Sequence, residues 1–252
     1  TRHTIQINQP SDLQTTVNGM DVNCFGGSDG SANVICTGGT SPYSYSWNDG
    51  NSGSSISNVS TGLYTVSVSD QHGCMESNSV FIREPYPLRL QVSPDPTICI
   101  GQSAQLSAQG AGGIGPYSYH WLNGVNSQTQ NINPSQSGYY SVWVSDTKGC
   151  NSKQDSIYVN VYSALMALVS GTDSICEGGI ASLSATASGG NGGPYNYFWS
   201  TGSTQQIISV QPIATSTYTV NVNDNCGTPQ QYALLTVVVN PTLNITSTPV
   251  SQ

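Results

Sequence analysis

The chain has 252 residues, of which only 7% are charged, and its formal net charge is −8. A lysine-poor, acidic surface excludes a nucleic-acid partner and binding to anionic lipid, since both need excess positive charge. No run of 18 apolar residues occurs, which excludes insertion of a membrane-spanning helix, and regular apolar alternation at low charge excludes a disordered tail.

The segment Ile5-Gln6-Ile7-Asn8-Gln9-Pro10 matches Val80-Phe81-Ile82-Arg83-Glu84-Pro85, and each proline stands 14 residues before a cysteine. Residues 1–9 are therefore expected to be the last strand of a preceding repeat. A first full repeat is expected over 10–85. It opens with an edge strand over 13–22, reaches Cys24, turns through Gly26-Gly27-Ser28-Asp29-Gly30 and enters an inner strand over 32–36. A Gly38-Gly39 turn leads into Pro42-Tyr43-Ser44-Tyr45-Ser46-Trp47. Side chains on a strand alternate between faces, so Tyr43, Tyr45 and Trp47 share one side. A proline at the strand start loses no ladder donor. Trp47 is the expected core anchor. A short strand over 56–59, clean alternation over 64–68 and a closing strand over 80–83 complete about seven strands, the pattern of an Ig-like sandwich.

The same order recurs twice. Pro116-Tyr117-Ser118-Tyr119-His120-Trp121 lies in a second repeat, 86–162, and Pro194-Tyr195-Asn196-Tyr197-Phe198-Trp199 in a third, 163–241. Trp121 and Trp199 take the place of Trp47. Successive first cysteines, Cys24, Cys99 and Cys176, are 75 and 77 residues apart. Such a period sets the architecture. Residues 242–252 are expected to be the first strand of a following repeat, the chain being a piece of a longer array. The fold class is thus all-β: tandem antiparallel β-sandwich domains of Ig-like or PKD-like type. Short joints at Glu84-Pro85-Tyr86-Pro87 and Val161-Tyr162-Ser163 favour a semi-rigid rod.

Domains of this size have small cores, which cross-links would reinforce. Seven cysteines imply an oxidising compartment. Each aromatic strand is framed by two of them, so the expected pairs lie within repeats: Cys24 with Cys74, Cys99 with Cys150, Cys176 with Cys226. If the strands beside them run antiparallel, both cysteines meet at one end of a sandwich. Closing a loop of about 50 residues would stabilise each repeat by roughly 4 kcal/mol. Reduced, buried thiols are the alternative. Cys36 ends the run Ala32, Val34, Cys36 and reads as a small core hydrophobe.

Three stretches carry a family resemblance. Cys24-Phe25-Gly26-Gly27-Ser28-Asp29-Gly30-Ser31-Ala32 is followed by Thr37-Gly38-Gly39-Thr40-Ser41-Pro42-Tyr43-Ser44-Tyr45-Ser46-Trp47, and the repeat ends on Asp70-Gln71-His72-Gly73-Cys74. Together they resemble the SprB-type repeat of giant surface adhesins of Bacteroidetes. The second and third repeats resemble the related PKD-like or Ig-like repeats. They depart from the pattern at Cys99-Ile100-Gly101-Gln102-Ser103 and in the missing closing Gly-Cys of the third repeat. The resemblance implies an extracellular, outer-membrane-associated protein exported by the type IX secretion machinery through a sorting domain not present in this sequence, with a part in adhesion and gliding motility. Its implied partners are neighbouring repeats and extracellular surfaces or polysaccharide. Asp155-Ser156-Ile157 and Asp173-Ser174-Ile175 resemble that phylum's O-glycosylation sequon, which makes Ser156 and Ser174 candidate acceptors.

The sequence carries no catalytic constellation. Gly26-Gly27-Ser28-Asp29-Gly30 fits the nucleophile-elbow string, but that motif needs a strand before it and a helix after it. His3, His72 and His120 have no metal-ligand spacing. No cofactor is expected. Asp70, Asp146 and Asp224 recur at one position, where a turn cap is the plain reading and calcium the alternative. Trp143, out of phase with Val142 and Val144, is expected on an outer face as a possible ligand platform. Two functions follow: a non-enzymatic adhesive stalk, or a glycan-binding array, including accessory repeats of a secreted polysaccharide-degrading enzyme.

Overall fold

The computed structural model describes residues 9–226 and 230–242. Residues 1–8 and 243–252, expected to belong to flanking repeats, lie outside the described residues. The described chain is all-β and forms tandem Ig-like sandwiches. Its strands are β1 (Gln14–Met20), β2 (Gly30–Thr37), β3 (Ser44–Trp47), β4 (Ser55–Val59), β5 (Gly62–Ser69) and β6 (Met75–Ile82). There follow β7 (Arg89–Val92), β8 (Thr97–Ile98), β9 (Ala104–Ala111), β10 (Ser118–Trp121), β11 (Thr129–Ile132), β12 (Gly138–Ser145) and β13 (Asp155–Val161). The last are β14 (Met166–Gly171), β15 (Ser174–Cys176), β16 (Ala181–Ser188), β17 (Asn196–Trp199), β18 (Ile207–Val210), β19 (Ser216–Asn223) and β20 (Gln231–Asn240).

Strand orders β1-β2-β4 and β3-β5-β6 make the two sheets of the first sandwich, the arrangement of a constant-type Ig domain without its D strand. Ala32, Val34 and Ile56 of one sheet meet Trp47, Val66, Val68 and Ile82 of the other in a single core. The alternating burial along β2 and β5 follows from the period-2 pattern of their sequences. The second pair of sheets has orders β11-β9-β7 and β10-β12-β13-β8; the third has β14-β16-β18 and β15-β20-β19-β17. Leu183, Ala185, Trp199, Val220 and Val222 centre the third core.

The described residues divide into two compact units, 9–92 with 107–128 and 141–155, and 93–106 with 129–140, 156–226 and 230–242. The first holds the whole first sandwich together with the β7–β9 and β10–β12 pairings. The second holds the β8–β13 pairing and the whole third sandwich.

Not every strand pair is antiparallel. β8 runs parallel to β13, and β15 runs parallel to β20. In each case the opening strand of the sequence divides. Its first part, β7 or β14, pairs with one sheet, and the chain then crosses to the other. This crossing sets strand direction, on which the cysteine chemistry depends.

The thrice-repeated aromatic stretch and the glycine pair before it work together. Gly38 has a φ of 70°, in the left-handed region, and a Cβ there would run into the carbonyl oxygen of Asp12. Gly112 and Gly189 stand in the same way against the carbonyls of Pro87 and Ala164. Each freed glycine carbonyl accepts from the first tyrosine of the stretch: Tyr43 Oη to Gly38 O at 2.6 Å, Tyr117 Oη to Gly112 O at 2.7 Å and Tyr195 Oη to Gly189 O at 2.8 Å. Trp47, Trp121 and Trp199 are 3–4% exposed. Their indole N–H groups donate to the carbonyls of Gly53, Ser127 and Gln205 at 2.8–2.9 Å, so a large apolar ring is buried with its one polar group satisfied.

Candidate functional site: the cystine junctions

Two turn types recur and carry the cysteines. The first type holds the first cysteine of each repeat. The N–H of Gly27 donates to Cys24 O at 2.9 Å, that of Gln102 to Cys99 O at 3.0 Å and that of Gly179 to Cys176 O at 2.9 Å. The second type holds the second cysteine and is organised by a buried aspartate. Asp70 accepts through Oδ1 from the N–H groups of His72 and Cys74 at 2.9 and 2.8 Å, and through Oδ2 from Thr40 at 3.0 Å. Asp146 repeats this with Lys148, Cys150 and Ile114 at 2.9, 3.0 and 2.9 Å. Asp224, on the shortened turn, accepts from Cys226 and Asn191 at 3.2 and 3.0 Å. Burial would by itself raise the carboxyl pKa values of Asp70 and Asp146. The converging backbone N–H donors outweigh it and hold both below the ordinary value. Positive ends of N–H dipoles surround these oxygens, the geometry of a turn cap.

The disulfides join successive repeats. Cys24 is bonded to Cys150, with Cα atoms 5.7 Å apart, and Cys99 to Cys226, with Cα atoms 5.8 Å apart. This corrects the within-repeat pairing expected from the framing of the aromatic strands. Cys74 and Cys176, expected in disulfides, are free and exposed.

The reason is strand direction, worked out in the third sandwich. The ladder of β14 on β16 runs on to Thr172, whose N–H donates to Ser182 O, and the very next residue, Asp173, already accepts from Val238 N–H beside β20, so the chain continues in one direction through β14 and β15. β16 is antiparallel to β14, and β19 is antiparallel to β20, which is parallel to β15. β16 and β19 therefore point the same way. A cysteine before β16 and a cysteine after β19 sit at opposite ends of the sandwich. Strands of eight residues at about 3.3 Å per residue separate them by roughly 25 Å, far beyond the ~7 Å limit for Cα atoms of a disulfide.

Different polar groups hold the two junctions. At the first, Asp29 accepts from the N–H of Asn23 at 3.0 Å and from the Asn23 amide, closing the glycine-rich turn; Gly26 N–H donates to Glu84 Oε2 at 2.7 Å. Hydrogen bonds from Asn23 hold the Asp29 carboxyl below its ordinary pKa, with Lys148 adding a smaller attraction. The Cys150 sulfur lies 3.4 Å from Asn23 O. At the second junction, Gln102 replaces the Asp29 device: its Oε1 accepts from Cys99 N–H at 3.2 Å and its Nε2 donates to Cys226 O at 2.9 Å. Gln102 was not singled out by motif reading. Its one sequence signal is that it stands where the second repeat departs from the Gly-Ser-Asp-Gly pattern.

The remaining candidates lie apart. Trp143 is half-buried opposite His120 on the β10–β12 pair, their rings stacked with centroids 5.0 Å apart, while His120 Nε2 and Ser145 Oγ share a hydrogen bond at 2.8 Å. Ser156 is half-buried in β13; Ser174 is exposed at the start of β15, where its Oγ accepts from Asn240 at 2.8 Å. Cys36 is half-buried against the first core, 3.8 Å from Tyr45 Oη. No group of metal-ligating side chains occurs among the described residues, and no helix among them is long and apolar enough to cross a membrane.

The class defined by these sheets is the tandem Ig-like repeat protein. The family model described as SprB repeat matches residues 16–52, which contain Cys24, the Asp29 turn and Trp47. No curated protein sequence matches the chain. Among solved structures, three N-terminal domains of the outer capsid protein Hoc of bacteriophage RB49 are similar at 12% identity and a TM-score of 0.43, over 93% of this chain and 99% of that one. The I67–I69 I-band fragment of titin is similar at 14% identity and a TM-score of 0.44, over 94% and 100%. Domains 4–9 of the surface layer protein SbsC are similar at 15% identity and a TM-score of 0.29, over 93% and 48%.

Proposed function

We propose that the chain is a non-enzymatic load-bearing segment of a bacterial cell-surface adhesin, built of domains over 10–85, 86–162 and 163–241. The observation that carries this reading is the pair of disulfides linking the first cysteine of one repeat to the second cysteine of the next. Disulfides persist in oxidising compartments, which supports an extracellular site. A cross-link between repeats shortens the covalent path along the array, as suits a load-bearing stalk. The SprB repeat match over 16–52 supports adhesion at a cell surface, and with it gliding motility and export by type IX secretion in the Bacteroidetes. Ser156 and Ser174 are its proposed glycan acceptors.

The test is made on cells that express the full protein. Antibody against this segment should label intact cells, and deleting the segment should reduce attachment to surfaces while secretion continues. Antigen confined to the cytoplasm would refute the reading. The stacked pair of Trp143 and His120 favours a second function, capture of a polysaccharide on the outer sheet face. Saturable glycan binding by the isolated chain, lost in Trp143→Ala, would establish it.

A further inference from the structure

The outer face of the β17-β19-β20 sheet carries two aromatic side chains that the third core does not use. Phe198 of β17 lies across from Asn221 of β19, and Asn221 lies across from Tyr232 of β20. Their neighbours Trp199, Val220 and Ala233 pack into the core, so alternation puts all three on the opposite face. A strand spacing of about 4.8 Å sets the Phe198 and Tyr232 backbones roughly 10 Å apart, with Asn221 between them. Phe198 is 50% exposed and Tyr232 76%. Asn221 Nδ2 donates to Gln230 Oε1 at 2.6 Å, which fixes the plane of the amide. Together with Ser200 and Thr219, these three side chains line an open concavity of about 420 Å³, a size that small-ligand sites have.

The same sheet position is filled differently in the other two sandwiches. In the first it holds Ser46, Ser67 and Ser77, and the Ser67 and Ser77 hydroxyls are hydrogen-bonded to each other at 2.9 Å. In the second it holds His120 and Trp143, whose rings cover one another. In the third, the aromatic rings stand on either side of a polar residue.

We infer that this concavity binds an uncharged polysaccharide, with a pyranose ring seated over Asn221 between Phe198 and Tyr232. The π face of an aromatic ring is negative and attracts the weakly positive C–H bonds of a sugar face. The Asn221 amide and the Ser200 and Thr219 hydroxyls offer hydrogen bonds to the sugar hydroxyls. No lining residue is charged, so an acidic polysaccharide meets no counter-charge there. A nucleic-acid base would also stack on such rings, but its phosphates need the lysine or arginine that the lining lacks. A protein contact is apolar at its centre and polar at its rim, whereas here the amide is central and the rings flank it. The site is independent of the load-bearing reading and of the Trp143–His120 pair.

The experiment is native affinity electrophoresis of the whole chain, which its net charge of −8 carries into the gel. The gels contain hydroxyethylcellulose, arabinoxylan or galactomannan as neutral probes, or alginate as an acidic one. At least one neutral probe should retard the chain, and alginate should not. Phe198→Ala and Tyr232→Ala should each weaken the dissociation constant by about threefold to tenfold, while Tyr232→Phe, which keeps the ring, should hold it. Trp143→Ala should leave it unchanged. All these positions are exposed or half-buried, and circular dichroism checks that each variant folds. No retardation by any neutral probe, retardation by alginate alone, or equal retardation of the wild type and Tyr232→Ala overturns the proposal. Loss in Trp143→Ala alone also overturns it, while upholding glycan capture on the second sandwich. Sedimentation is the last arm: self-association of the wild type that Tyr232→Ala abolishes would make the face a contact for a second copy and overturn the sugar site.

Discussion

Pulling the chain by its ends gives the sharpest mechanical expectation. The disulfide loops overlap, since Cys99 lies inside the loop closed by Cys24 and Cys150. Under force with every repeat unfolded, the covalent path runs from the N-terminus to Cys24 and crosses to Cys150. It then returns backwards to Cys99, crosses to Cys226 and continues to the C-terminus. That path holds about 100 residues, or roughly 350 Å at ~3.5 Å per residue; the reduced chain reaches about 880 Å. Reductant should therefore release about 500 Å in single-molecule force spectroscopy. Within-repeat pairing would leave nearly the same number of residues free, so the wild type alone does not discriminate. Cys74→Ser does. With the observed pairing it leaves the oxidised length unchanged. If Cys74 were paired to Cys24, the substitution would free about 50 residues and lengthen the chain by roughly 175 Å. An increase of that size in Cys74→Ser would refute the reasoning.

Five further outcomes follow from the same geometry. Trp199→Ala should cost about 3–5 kcal/mol in urea unfolding, since it empties the centre of the third core and leaves Gln205 O without its donor. Gly112→Ala should cost about 2 kcal/mol or more by the same assay, because a φ of 76° is unfavourable for alanine and its Cβ meets Pro87 O. Stability should fall as the pH drops below about 4: the folded pKa values of Asp70 and Asp146 lie below the unfolded value, so the unfolded chain binds more protons in that window and gains from acid. Asp146→Asn should lower stability at pH 7 and flatten this acid limb, as read from urea midpoints across pH. Trp143→Ala should change stability by under about 1 kcal/mol, its loss being confined to the half-buried stack with His120.

Much of the fold was legible because it is written with period two. Tyr43, Tyr45 and Trp47 announce one strand face, and Gly38-Gly39 announces a backbone that turns left-handed. The recurring Asp70, Asp146 and Asp224 read as turn caps, and the N–H groups around them show that role. The cystine pairing was not legible from spacing. First and second cysteines recur with the same period, so Cys24 stands at an equally regular distance from Cys74 and from Cys150. What decides between them is the direction of β2 against β5, and this depends on an opening strand that changes sheets. Short segments such as β8 and β15 carry too few residues for a pattern to show that crossing. Gln102 was hidden for a related reason. It does the work of Asp29 with a different side chain on a turn of different sequence, and only the position of Cys226 reveals it.

Peptide mapping of the unreduced chain tests most directly whether repeats are stapled to one another. Digestion with alkylation of free thiols, followed by mass spectrometry, should recover Cys24 linked to Cys150 and Cys99 linked to Cys226, with Cys36, Cys74 and Cys176 alkylated. Recovery of Cys24 linked to Cys74 and Cys99 linked to Cys150 would contradict it.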